Sequence, residues 1–185
     1  MFFTGKGDNG QMNTYGCDQK ISKSSAIAEA LGSMDEINSF LGFCKVRSQK
    51  AGFKVREEGP TFEHLIHNIQ QSLFIIQAEI AGFPMKIEEK KVKELEEIIR
   101  NIEKQLPPIK TFFISGGTEL AATFDFARTM ARRAERRVVA AHEEGKVTLG
   151  KDTLAYMNRL SSILYALARL TNHKSDIKEE PPSYK

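Results

Sequence analysis

Between Phe112 and Ala140 the chain reads FFISGGTELAATFDFARTMARRAERRVVA. Gly116 and Gly117 interrupt it, and Thr118 follows as a residue type suited to cap a helix start. Beyond it Leu120, Phe124, Ala127, Ala131, Ala134 and Val138 recur three and four residues apart, the beat of one apolar helix face. Working outward, the same beat governs Phe62, Leu65, Ile69, Leu73, Ile76 and Ile80, and then Val92, Leu95, Ile99, Ile102 and Leu106. It returns in Leu154, Met157, Ser161, Leu164 and Ala168, with one serine in the stripe. A less regular fifth helix spans roughly Ser25 to Lys45, with Ile27, Leu31, Met34, Ile37 and Leu41. These stripes predict an all-α bundle.

The punctuation agrees. Pro60 suits the first turn of the second helix, and Gly82 with Pro84 suits its end. Glu88 and Glu89 favour the start of the third helix, and Pro107 with Pro108 stops it. Strand signals are nearly absent. The short run Lys110 to Ser115, KTFFIS, is the one β-like stretch, and an extended loop serves it equally well. Residues 1–172 read as one bundle domain, with a glycine-rich loop over 1–20. Residues 173–185 read as a polar tail expected to fray.

Composition excludes several classes. The chain has 185 residues, 41% hydrophobic and 28% charged, which suits a globular protein and not a disordered one. Its 27 Lys and Arg against 24 Asp and Glu leave a formal charge of +3, too little for a nucleic-acid surface. Cys17 and Cys44 form no metal spacing, and a disulfide framework is not expected. No secretory signal and no membrane-spanning run is read, so the expected location is the cytoplasm.

Four features carry chemistry. The segment Thr4-Gly5-Lys6-Gly7-Asp8-Asn9-Gly10 can turn and present successive amides, an anion nest to which Lys6 adds charge; a plain glycine-rich loop is the alternative. Its Gly5-x4-Gly10 spacing approaches a P-loop, but Gln11 stands where the Lys belongs. Arg128, Arg132, Arg133, Arg136 and Arg137 crowd one helix, and Arg128, Arg132 and Glu135 share a stripe beside its apolar face. Planar guanidinium forks suit phosphate, so the stripe reads as a polyanion site or a subunit contact, with a solvated face as the alternative. Asn158, Ser162, Tyr165 and Arg169 form a polar stripe on the last helix, which must be satisfied or bind something. Asp35, on or next to the apolar face of the first helix, wants an arginine partner within the chain or across an interface. His64 and His67 are spaced for a metal but have no third ligand nearby.

Taken together these blocks resemble the PduO-type ATP:cob(I)alamin adenosyltransferases. Phe112–Ala140 is similar to the family signature. Gly32-Ser-Met-Asp-Glu-Ile-Asn-Ser39 resembles its Gly-Thr-Val-Asp-Glu-Leu-Asn-Ser, and Asn158-Arg-Leu-Ser161 its Asn-Arg-Leu-Ser-Asp. The resemblance runs from Phe3 to about Arg169. It implies a five-helix up-down bundle that assembles as a homotrimer with active sites between subunits. It implies transfer of the 5′-deoxyadenosyl group of ATP to cob(I)alamin, giving adenosylcobalamin and triphosphate. A non-catalytic ATP or cobalamin sensor or carrier of the same fold is the alternative, and a purely structural oligomer a further one. A reductase and a cobalamin-dependent mutase are implied partners.

Residue by residue, the resemblance places Thr4, Gly5, Lys6, Gly7, Asp8, Gly10 and Asn13 around the triphosphate and its Mg²⁺, with Lys23 on a phosphate. Arg132, Arg133, Glu135, Arg136 and Asn158 match nucleotide contacts. Arg128 and Asp35 match a pair joining neighbouring subunits, and Phe112 an aromatic under the corrin ring. No side chain is assigned to the metal, which the phosphates hold. Three departures from the family pattern stand out. Gly5 and Lys6 replace a Lys/Arg-Thr pair, Ser115 replaces a Pro, and Ser162 replaces an Asp.

Overall fold

The structure is a computed structural model describing residues 2–14 and 20–184. Cys17 lies outside the described residues. Five helices carry the fold: α1 (Ala26–Ala51), α2 (Phe62–Ile80), α3 (Glu89–Glu103), α4 (Glu119–Glu143) and α5 (Lys151–Lys174). Helix α4 is central and packs against both α1 and α5; α2 packs mainly on α1 and α3 on α5. The short connections between α1 and α2 and between α4 and α5 reverse the chain, so these neighbours run up and down.

The predicted stripes form the core. Ala127, Ala131, Ala134 and Val138 of α4 are fully buried, as are Leu73 and Ile76 of α2, Met34 and Leu41 of α1, and Met157 and Leu164 of α5. Four alanines on the α4 stripe, Ala141 included, let two helices approach one central helix closely. Phe62 and Phe124 meet edge to face with ring centres 6.1 Å apart and tie α2 to α4.

Helix ends follow the cap rules, with one difference from the sequence reading. Thr118 caps α4, accepting the Ala121 amide at 3.1 Å, as expected. At α2 the cap is Thr61, whose hydroxyl accepts the His64 amide at 3.1 Å, so Pro60 sits before the cap and not in the first turn. The α5 start has no side-chain cap of its own. Glu79 of α2, only 5% exposed, substitutes: its carboxylate accepts the Gly150 amide at 2.8 Å and the Thr153 hydroxyl at 2.5 Å.

Two further differences concern the ends of the chain. Strands do occur, at β1 (Gln11–Asn13) and β2 (Lys20–Ser22), paired antiparallel with Gln11 opposite Ser22 and Asn13 opposite Lys20. Three residues per strand are too few to display an alternating pattern. Residues 110–115 form no strand. The tail, expected to fray, carries defined contacts: Glu179 forms an ion pair with Arg169 at 2.8 Å, and the Glu180 carbonyl accepts the Ile114 amide at 2.8 Å. No helix among the described residues is long and apolar enough to cross a membrane.

Candidate functional site

A cavity of about 570 Å³ opens between α4, α5, the loop before α4 and the tail. Phe112, 78% exposed, stands at its edge, and Arg128 and Arg132 of α4 line its wall. Ser162, Tyr165 and Arg169 of the α5 polar stripe face the same space. The helical period brings these groups together. Arg128 and Arg132 lie one turn apart beside the apolar stripe of α4, and Ser162, Tyr165 and Arg169 lie three and four apart on α5.

Each wall residue is held. Arg169, 5% exposed, donates to Glu179 and to the Pro107 carbonyl at 3.2 Å, and its guanidinium lies 5.1 Å from the centre of the Phe113 ring. Arg128 lies over the Tyr165 ring at 5.7 Å, with Asp125 the nearest carboxylate at 3.9 Å. The Nε of Arg128 is buried and has no hydrogen-bond acceptor among the described residues. Burial pushes the Asp125 carboxyl above its ordinary value, against the pull of hydrogen bonds from the Gly116 amide and the Ser115 hydroxyl and of the nearby Arg128. Burial likewise raises the Tyr165 hydroxyl.

One turn further along α4, Glu135 accepts the Asn158 amide at 2.9 Å, and Arg159 donates to the Asn158 oxygen at 2.7 Å and to Glu96 of α3 at 2.9 Å. Two expected nucleotide residues, Glu135 and Asn158, are thus already paired with each other across α4 and α5. Arg133 is turned away from the cavity and is ion-paired with Glu36 of α1, as Arg137 is with Glu29 at 3.2 Å. Arg136 is exposed on α4.

The N-terminal residues form a second cluster, none of which lines the cavity. Positive φ at Gly5 and Gly10 lets the chain turn, with the Asp8 amide on the Gly5 carbonyl and the Gly10 amide on the Gly7 carbonyl, each at 3.2 Å. The hairpin returns Lys23 to this turn, where its ammonium donates to the Gly7 carbonyl at 2.8 Å. A Cβ on Gly7 would sit 2.9 Å from that ammonium, so a larger residue would displace it. Thr4, Lys6 and Asp8 are exposed around the turn, and Asn13 is exposed on β1. Asp35 is exposed on α1, not seated on its apolar face, and accepts from Gln77 of α2 at 3.1 Å; within one chain it does not meet Arg128.

Among the described residues no three His, Cys, Asp or Glu side chains gather as a metal site. His64 and His67 are both exposed on α2. Asp8 is the one carboxylate within the glycine turn. That donor set suits Mg²⁺, which keeps most of its waters and takes one or two carboxylates beside substrate phosphates.

Sequence reasoning missed Asp125, Asn172 and Glu179. Asp125 stands one residue from Phe124 and three before Arg128, and a carboxylate that close to a core stripe was a readable signal. Asn172 and Glu179 gave none, since they flank the start of the polar tail.

Comparison with known proteins follows the same outline. The cobalamin adenosyltransferase family pattern matches residues 2–171. Corrinoid adenosyltransferase PduO of Citrobacter freundii is 34% identical over 178 residues, covering 92% of this chain and 50% of that protein. The chain therefore spans about half the length of that relative. The corrinoid adenosyltransferase of Bacillus subtilis is 34% identical over 177 residues, 95% of this chain and 88% of that protein. A solved variant of a PduO-type ATP:corrinoid adenosyltransferase from Lactobacillus reuteri, complexed with cobalamin and ATP, superposes with a TM-score of 0.86 at 29% identity. It covers 100% of this chain and 97% of that one. With a match that runs from the glycine turn through all five helices, the chain belongs to the cobalamin adenosyltransferase family.

Proposed function

We propose that this protein transfers the 5′-deoxyadenosyl group of ATP to cob(I)alamin, giving adenosylcobalamin and triphosphate. The observation that carries the reading is the single cavity joining an exposed aromatic, Phe112, to the arginines Arg128 and Arg132. Cobalt(I) supplies an electron pair that attacks the 5′ carbon of ATP. The bond from that carbon to the α-phosphate oxygen breaks, and its electron pair leaves on triphosphate. No proton moves at the reacting carbon, so no general base is needed. Arg132, together with Lys6 and Lys23 at the glycine turn, stabilises the charge that gathers on the leaving group. Mg²⁺, when bound, adds charge neutralisation on the phosphates. Phe112 presents an apolar ring that disfavours a lower ligand or water on cobalt, which eases reduction of Co(II) to Co(I).

The phosphate-binding turn and the arginine cavity do not share residues within one chain. We place them together across a subunit boundary in a homotrimer, where Asp35 of one chain meets Arg128 of the next. The buried Arg128 Nε without an acceptor supports that pairing, because a carboxylate from outside the chain would satisfy it. A reductase and a cobalamin-dependent mutase are the corresponding partners.

The deciding assay mixes the protein with Mg²⁺, ATP and chemically reduced cob(I)alamin and follows the Co(I) absorbance. The expected outcome is loss of that absorbance with formation of adenosylcobalamin and triphosphate. A rate equal to the protein-free control removes the enzyme reading.

A further inference from the structure

The loop carrying Phe112 has no regular structure, yet its base is gripped from two sides. From α5, Asn172 donates its amide to the Gly116 carbonyl at 2.9 Å and accepts the Thr118 amide at 3.1 Å. Asn172 is 6% exposed, and a Cβ on Gly117 would collide with its side chain, so the contact requires glycine. Both halves of the amide are used, which fixes its orientation: rotated by half a turn, it would set donor against donor. From α4, Asp125, 9% exposed, lines the cavity with Ser115, and the Gly116 amide and Ser115 hydroxyl both favour its charged form. Residues 116–118 are therefore clamped by one side chain of α5, through the Gly116 C=O and the Thr118 N–H, beside the Asp125 carboxyl of α4.

Burying a carboxylate costs free energy unless it is compensated; Arg128 stays 3.9 Å from Asp125, which leaves the polar groups of the loop beside it to offset that cost. Phe112 lies only three residues before Ser115. With residues 115–118 fixed, few backbone torsions remain free between the anchor and the ring.

We infer that Asp125 and Asn172 are positioning residues that hold Phe112 against the cavity and so govern reduction of a corrin seated there. The inference rests on the reading above that Phe112 faces the corrin. A ring on a freed loop is against cobalt for only part of the time, and a lower ligand or water then reaches the metal. The step that suffers is reduction of Co(II), not nucleotide binding.

Two measurements test this. The chain contains no Trp, so Phe112→Trp supplies a single indole whose fluorescence anisotropy reports the loop without any need for turnover. In that background Asn172→Ala and Asp125→Ala should lower the anisotropy and increase quenching by acrylamide, and Asn172→Asp, which keeps the acceptor for Thr118, should lower it less. Ser115→Ala removes one exposed donor without touching the core, so it stands as the variant whose folding is not at risk. With Phe112 intact, the same substitutions should slow product formation started from cob(II)alamin by roughly tenfold. The rate from chemically generated cob(I)alamin and the KM for ATP should hold within about twofold. Unchanged anisotropy overturns the inference, and so do Co(II)- and Co(I)-started rates that fall together. Wild-type protein inactive with cob(I)alamin overturns the adenosyl-transfer reading instead, and the corrin half of the inference with it, while the anisotropy still decides whether the two residues hold the loop.

Discussion

Arg132 is the residue on which the charge argument presses hardest. It lines the cavity, is exposed, and lies one turn from Arg128, whose guanidinium lies over the Tyr165 ring. Removing one donor to a developing oxyanion typically costs a factor of about 10²–10³ in rate. Arg132→Ala should therefore lower kcat by about that much in the Co(I) absorbance assay, while the melting temperature stays put. Cys44 offers a contrasting prediction at the same scale. It is fully buried, and burial pushes its thiol up from 9.0 to about 12. The folded chain thus keeps a proton that the unfolded chain gives up, so stability falls as pH rises from about 9 towards 12. In a Cys17→Ser background, Cys44 should resist a thiol reagent at neutral pH until denaturant is added, and stability measured between pH 8 and 11 should decline less in Cys44→Ala. Single residues were legible where their type carried the meaning, as with the arginines. They were not legible where a partner across the fold carried it: nothing in the sequence pairs Arg133 with Glu36, distant from it, yet the fold joins them.

At the scale of elements, the helices could be read because each repeats its signal over several turns. The stripe of α4 alone predicted six positions that are all buried. The hairpin could not be read, because three-residue strands repeat nothing. The tail misled for a different reason: its polar composition gives no sign that Glu179 has a buried arginine waiting ten residues back. Thr118 ties the legible part to the functional part, since it caps α4 while its own amide is held by Asn172. Losing such a cap costs about 1 kcal/mol. Thr118→Ala should lower unfolding free energy by about that amount in urea, and Thr118→Ser should restore most of it.

For the whole molecule, the described residues fall into two functional groups that do not meet within one chain. The bundle supplies the cavity, and the hairpin supplies the glycine turn with Lys23 on it. If subunits complete each other's sites, assembly and activity must fail together. Asp35→Ala should shift the sedimentation profile towards smaller species and reduce turnover per chain, with the loss of rate recovered in part at high protein concentration. A species distribution and rate equal to wild type would remove the Asp35–Arg128 contact from the account.

The cap that Glu79 places on α5 has a consequence for the order of assembly. Its acceptors reach Gly150 and Thr153, 71 and 74 residues away in sequence. Closing so long a span costs chain entropy before it returns any contact, so this cap on α5 forms only when α2 and α5 are brought together by the rest of the fold. α5 also brings Tyr165, Arg169 and Asn172 to the cavity. The cavity is therefore complete only in a chain whose fifth helix has docked, and the α2 carboxylate, far from the cavity in sequence, helps to fix where that helix begins.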